Sequence, residues 1–337
     1  MLKLYKILFF NSMIIGTLIT ISSYTWFSMW IGLEINLLSI IPLFKSHKNI
    51  FPVEATLKYF ITQALASTII LFTVIISMNL TEFIPNNFNY WLMLILNSAL
   101  LTKLGAAPFH AWFPEVMEGL NWMNNLILLT WQKLAPMILV MYNLNMLFFF
   151  SIIIMISSII SGILGMNQMS LRKIMAYSSI NHIAWMLASM LNLQSIWMIY
   201  FSIYVIISIN IIIIFYYLNV FFITQLFLIL NSNKLIKLIF MFNFMSLGGL
   251  PPFLGFFPKW LTMNSLIEVN SYWLSLILII FTLITLFYYI RLMFSSMTLN
   301  SQETILKLSN LNNYKIISFN AITLSSLLIC TNLFNYF

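Results

Sequence analysis

Four ionisable side chains stand inside long apolar runs: Glu34 in Trp26–Phe44, Lys103 in Tyr90–Gly119, Lys133 near the middle of Asn121–Tyr142, and Lys259 in Leu235–Glu268. If these runs cross a bilayer, each charge costs about 2.5–3.5 kcal/mol at the helix centre. The four together cost roughly 10–14 kcal/mol unless paired or hydrated. Leucine would avoid that cost, so their presence points to a task. The chemistry that amines and carboxylates share at such depth is proton transfer. Desolvation disfavours the charged form of a buried amine, and a nearby carboxylate restores it. A Glu34–Lys103 pair that can be made or broken is therefore a proton switch. Lys133 and Lys259 would carry the proton across the midplane through buried water, held by groups such as Thr62, Gln63, Thr102, Thr130 and Gln132. His182 has two readings: a neutral, hydrogen-bonded histidine packed against Tyr177 or Trp185, or a relay group between Lys133 and Lys259. His110 follows a helix interruption, and His47 lies in a connection. Lys58, four residues after Glu54, reads as an interfacial ion-pair partner. Arg291, near a helix end, can snorkel.

The elements that must position these groups are membrane helices. Of 337 residues, 62% are apolar and 7% charged, with 15 Lys+Arg against 7 acidic residues, all glutamate. Soluble domains carry about a quarter charged residues, so a soluble enzyme is excluded. Mean hydropathy of +0.99 agrees. At about 20 residues per span, the length holds roughly eleven helices. Polar punctuation places them at Leu4–Ser23, Trp26–Phe44, Glu54–Leu80, Tyr90–Gly119, Asn121–Tyr142 and Leu147–Met166 in the first part of the chain. Ser170–Leu191, Ser195–Phe221, Leu235–Glu268, Tyr272–Ser295 and Tyr314–Asn335 follow. Barrel strands would instead alternate over about ten residues. Met1–Thr25 runs into the next apolar stretch without a small-residue cleavage pattern.

Other chemistries find no foothold. The single cysteine, Cys330, excludes a disulfide framework, an iron–sulfur cluster or a cysteine-rich zinc site held by this chain alone. There is no dinucleotide fingerprint, phosphate loop or paired-histidine metal spacing. A nucleophile elbow is absent too. The net charge of +8 finds its explanation in topology. With the N-terminus on one side, called A, that side collects Lys3, Lys6, Lys45, Lys48, Arg172, Lys173, Lys234, Lys237, Lys307 and Lys315. The opposite connections carry only Glu82 and Glu268. That asymmetry follows the positive-inside rule and leaves no basic patch to assign to nucleic acid.

Two of the runs are overlong and interrupted at their middles, by Leu104-Gly105-Ala106-Ala107-Pro108 and by Leu247-Gly248-Gly249-Leu250-Pro251-Pro252. The residues that follow match: Pro108-Phe109-His110-Ala111-Trp112-Phe113-Pro114-Glu115 against Pro252-Phe253-Leu254-Gly255-Phe256-Phe257-Pro258-Lys259, offset by 144 residues. The copies are the fourth and ninth runs, five crossings apart in order, so they cross in opposite directions. Broken helices at corresponding places in inverted halves point to a transport pathway.

The segments Gly32–Asn36, Lys103–His110, Thr130–Pro136, Asn167–His182 and Gly248–Phe256 resemble the chain 2 family of NADH–ubiquinone oxidoreductase, the antiporter-like subunits in the membrane arm of respiratory complex I. The match resembles an insect mitochondrial form, and the Ile, Asn, Phe and Met bias resembles that of AT-rich mitochondrial genes. The resemblance implies an all-α integral membrane protein of about 11 transmembrane helices. Its halves would be two inverted five-helix repeats, residues 1–145 and 146–296, each with a Pro/Gly-broken helix. A matrix loop and C-terminal helix would occupy 297–337. Glu34 matches the family's switch glutamate, Lys103 the lysine of the first broken helix, Lys133 the central lysine and Lys259 the lysine of the second broken helix. His182 joins them as a candidate relay group. The implied setting is the mitochondrial inner membrane, N-terminus in the matrix and C-terminus in the intermembrane space. Chains 4 and 4L are the implied neighbours, with phospholipid including cardiolipin on the exposed flank. No cofactor or metal is expected in this chain; FMN, iron–sulfur clusters and ubiquinone belong to other subunits. A free-standing cation/proton antiporter is the alternative.

Overall fold

The computed structural model describes residues 4–45, 50–80, 88–230, 234–251, 253–298 and 320. Every regular element among them is helical, with one isolated backbone bridge between Ser170 and Phe222. The chain divides into two compact units, Met1–Ile153 and Ile154–Phe337. The first holds α1 Leu4–Ser22, α2 Trp26–Phe44, α3 Phe51–Leu80, α4 Phe88–Leu104, α5 Trp112–Gly119, α6 Trp122–Leu129 and α7 Trp131–Met141. The division falls inside α8, Leu147–Met166. The second unit continues with α9 Leu171–Asn192, α10 Gln194–Leu218, α11 Ile223–Leu230, α12 Lys234–Gly248, α13 Phe256–Glu268 and α14 Tyr272–Thr298. Among the described residues, six helices (α1, α2, α3, α8, α10 and α14) are long and apolar enough to cross a membrane.

Helices suit these residues because lipid offers the backbone no partner, so each segment must bond to itself. The many Ser and Thr side chains follow the same rule. Thr20, Thr73 and Ser157, among others, donate their hydroxyls to the carbonyl three residues earlier. Between α1 and α2 the backbones touch: a Cβ on Gly32 would lie 2.8 Å from the Gly16 carbonyl oxygen and 2.5 Å from Thr20 Cγ2. Small residues permit the close crossing that membrane helices use in place of a hydrophobic driving force.

In the second unit α9 is enclosed on every side, with residues 174–190 all buried. It is too polar to rank with the six spans. Its Ser178, Ser179, Asn181 and His182 are instead held among protein side chains. The most polar membrane helix is thus the most shielded one.

Three expected spans prove divided. Tyr90–Gly119 is α4 and α5, and Leu235–Glu268 is α12 and α13, each parted at its Gly/Pro segment. Asn121–Tyr142 is also split, at Thr130, into α6 and α7. Pro136 explains this. It has no N–H for the carbonyl of Gln132, and its ring crowds that carbonyl, disturbing the turn before it. There Lys133 N–H bonds to the Thr130 carbonyl (3.3 Å). The eight-residue α11 occupies what reads as a connection; at about 12 Å it is too short to span. The expected helix Tyr314–Asn335 lies outside the described residues except for Asn320, which is helical and buried.

Candidate functional site: buried lysines at two helix breaks

Both breaks are built alike. Gly105 and Gly249 take left-handed conformations, φ 73° and 77°, which glycine adopts without a Cβ penalty. At the first, Ala106 N–H donates to the Leu101 carbonyl (3.1 Å) and Gly105 N–H to that of Thr102 (3.2 Å). At the second, Leu250 N–H donates to Met245 (3.3 Å) and Gly249 N–H to Ser246 (3.1 Å). Each is a Schellman ending, which leaves the final carbonyls of α4 and α12 in need of donors.

In the first unit those donors are neutral. Gln63 Nε2 donates to the Lys103 carbonyl (3.4 Å) and Trp112 Nε1 to that of Thr102 (3.0 Å). Phe113 packs where a Cβ on Gly105 would intrude at 3.2 Å. The Phe113 ring in turn lies 5.8 Å from Lys133 Nζ. Lys103 and Lys133 line one cavity of about 20 Å³ with Asn36, Tyr59, Gln63, Trp112, Phe113 and Gln132. That is room for about one water molecule. Asn36 and Gln132 exchange two amide hydrogen bonds (3.1 and 3.0 Å), and Tyr59 OH reaches Gln132 Oε1 at 3.5 Å. Lys133 is only 2% exposed and Lys103 8%.

Glu34, the expected partner of Lys103, is half-buried on α2. The two do not form an ion pair within 4.0 Å. Among the described residues such pairs join Lys58 to Glu54 (3.0 Å) and to Glu115 (2.8 Å). The expected Lys58–Glu54 pair is therefore present, with Glu115 of α5 as a second partner.

In the second unit the donor is a lysine side chain. Lys259 Nζ turns back from the first turn of α13 to the carbonyls of Gly248 (2.8 Å) and Leu247 (3.5 Å) at the end of α12. It also lies 5.9 Å from the Trp185 ring. His182 Nδ1 and Tyr200 OH are 2.9 Å apart, with the Tyr204 ring centroid 5.0 Å from that of the imidazole. A cavity of about 10 Å³ sets His182, Tyr200 and Tyr204 against Ser246, Leu247, Gly255 and Pro258. The histidine thus faces the break that Lys259 closes.

Of the anticipated water-holding groups, Gln63 and Gln132 line the first cavity. Thr62, Thr102 and Thr130 donate instead to carbonyls of their own helices. Asn36, Tyr59, Tyr200 and Tyr204 belong to the two sites but escaped notice in the sequence. Asn36 had a readable signal, a carboxamide two residues after Glu34 in an apolar run. The tyrosines had none, since they are common in membrane helices.

The paired breaks and buried lysines define a multi-pass membrane protein of the antiporter type. The model of the family described as "NADH:quinone oxidoreductase/Mrp antiporter, TM" matches residues 23–285. A chain of respiratory complex I from Thermus thermophilus with bound aureothin shares the fold at TM-score 0.87 and 20% identity, over 98% of this chain and 79% of that one. A chain of the Mrp complex from Dietzia aligns at TM-score 0.80 and 13% identity, over 96% and 74%. Curated relatives named NADH-ubiquinone oxidoreductase chain 2 include those of Aedes aegypti, 49% identical over 98% of both chains, and Anopheles gambiae, 46% identical over 99% of both. This chain belongs to the NADH-ubiquinone oxidoreductase chain 2 family.

Proposed function

We propose that the chain is the antiporter-like, proton-carrying subunit of the membrane arm of NADH:ubiquinone oxidoreductase, in the mitochondrial inner membrane. The observation that carries this is the placing of Lys103, Lys133 and Lys259, each at most 8% exposed, beside helix interruptions, the first two lining one cavity with polar side chains. A lysine in that setting can take up and release a proton without leaving the protein interior. In the first unit, approach of Glu34 stabilises the ammonium of Lys103, and its withdrawal favours release toward Lys133 through the shared cavity. In the second, His182 and Lys259 perform the corresponding exchange at the α12 break.

The two units correspond in this reading to inverted five-helix repeats, 1–145 and 146–296, with 297–337 supplying a loop and an eleventh span. The basic side A is then the matrix, where the N-terminus lies, and the C-terminus faces the intermembrane space. Moving a proton against about 180 mV takes roughly 4 kcal/mol. The chain has no electron carrier of its own in this scheme, so quinone reduction in other subunits, which hold FMN, iron–sulfur clusters and ubiquinone, drives it. Chains 4 and 4L and phospholipid, including cardiolipin, cover its exposed helices. The close identity to chain 2 relatives supports this over a free-standing antiporter.

The test is assembly and coupling together. The chain should copurify in mild detergent with NADH-oxidising activity, and Lys103→Met should lower protons pumped per electron pair while leaving the complex assembled. A chain that purifies alone, or a variant that pumps normally, contradicts the proposal.

A further inference from the structure

The two breaks share a backbone and differ in what closes it. Under the 144-residue offset, Trp112 corresponds to Phe256 and Glu115 to Lys259. The first break therefore has an indole and a carboxamide as donors, neither of which titrates. The second lacks the indole, and its last two carbonyls, those of Leu247 and Gly248, face the Lys259 ammonium. Carbonyls at a helix C-terminus carry the negative end of the helix dipole, so a cation is favoured there and a neutral amine less so.

Gly249 makes the contact possible. A Cβ at that position would lie 2.8 Å from Lys259 Cδ and 2.9 Å from its Nζ. Gly255 closes the other wall, where a Cβ would overlap the Ser246 carbonyl oxygen at 1.7 Å. Backbone and side chain thus form a built ammonium seat, with Trp185 alongside. The elements packed on α13 are α9, α10 and α14. Among the described residues, the titratable side chains they bury are Tyr177, His182, Tyr200, Tyr204, Tyr288 and Tyr289, with no carboxylate among them.

We propose that the α12–α13 break is a charge-dependent clasp: the Lys259 ammonium holds the end of α12 closed, and loss of its proton loosens the break, whereas the α4–α5 break stays closed whatever the charge on its lysines. Gly249 is the positioning residue of this clasp. The inference rests on the reading that Lys259 exchanges a proton during turnover. It adds that the exchange changes the backbone, at one break only.

Hydrogen exchange of backbone amides in the intact complex tests it. In the wild type, the amides of Gly249 and Leu250 should exchange at least tenfold faster as pH rises through the titration of Lys259, after normalisation to those of Gly105 and Ala106. Lys259→Arg keeps a permanent cation and should abolish that pH step while retaining protection. Lys259→Met should show the unprotected rate at every pH, and Gly249→Ala, which displaces the lysine, should resemble it. Equal pH dependence at the two breaks in the wild type, or full protection in Lys259→Met, overturns the clasp. These readouts are independent of pumping, so normal pumping by Lys103→Met would refute the proposed function without touching them.

Discussion

Asn36 on α2 and Gln132 on α7 clasp each other through two amide hydrogen bonds, 3.1 and 3.0 Å, across 96 residues of sequence. Gln132 precedes Lys133, and Asn36 lies two residues after Glu34, so the clasp ties the helix bearing the switch carboxylate to the helix bearing the central lysine. Replacing one amide takes both of these hydrogen bonds from the other in a part-buried site, at a cost of about 1–3 kcal/mol. Asn36→Leu should therefore lower the unfolding temperature of the assembled complex. Asn36→Leu with Gln132→Leu should recover part of the loss, because an apolar pair leaves no amide unpaired. A double variant whose loss equals the sum of the singles would mean that the two amides do not depend on each other.

The carbonyls at the first break differ in their exposure to loss. That of Thr102 receives Gly105 N–H as well as the Trp112 indole. That of Lys103 takes the Gln63 amide. Trp112→Phe should thus cost about 0.5–1.5 kcal/mol, the value of one hydrogen bond, while Gln63→Leu should cost about 1–3 kcal/mol by leaving a buried carbonyl unmet. Chemical denaturation of the assembled complex would rank them. The reverse order would show that ring packing, not carbonyl satisfaction, governs the break.

His182 depends on Tyr200 for its 2.9 Å contact. Tyr200→Phe preserves the ring and removes the hydroxyl. Loss of one hydrogen bond of about 0.5–1.5 kcal/mol corresponds to a two- to tenfold drop in the step it serves. Coupled NADH oxidation should fall by that factor with assembly intact. Wild-type rates would leave the contact as packing alone.

Much of this architecture was legible because lipid narrows the choices. Trp26–Phe44 and Leu147–Met166 end where punctuation says they must, since an apolar run in a bilayer has only the helix available. The buried lysines stood out for the same reason. What stayed hidden depends on contacts distant in sequence. Nothing local marks Tyr59 as a neighbour of Gln132, or Phe113 as the ring beside Lys133. The break at Thr130 was missed although Pro136 announces it, because an isolated proline is common in membrane helices. That Lys259 reaches back to α12 could be read only once the chain had turned at Gly249.

Lys133 is less exposed than Lys103 or Lys259, and Lys133→Ala addresses the central claim most directly. The measurement is protons translocated per electron pair by the intact complex in sealed vesicles, beside its uncoupled NADH oxidation and its assembly. The variant should assemble, keep its electron carriers working and translocate several-fold fewer protons. Undiminished translocation by a correctly assembled Lys133→Ala complex would contradict the account.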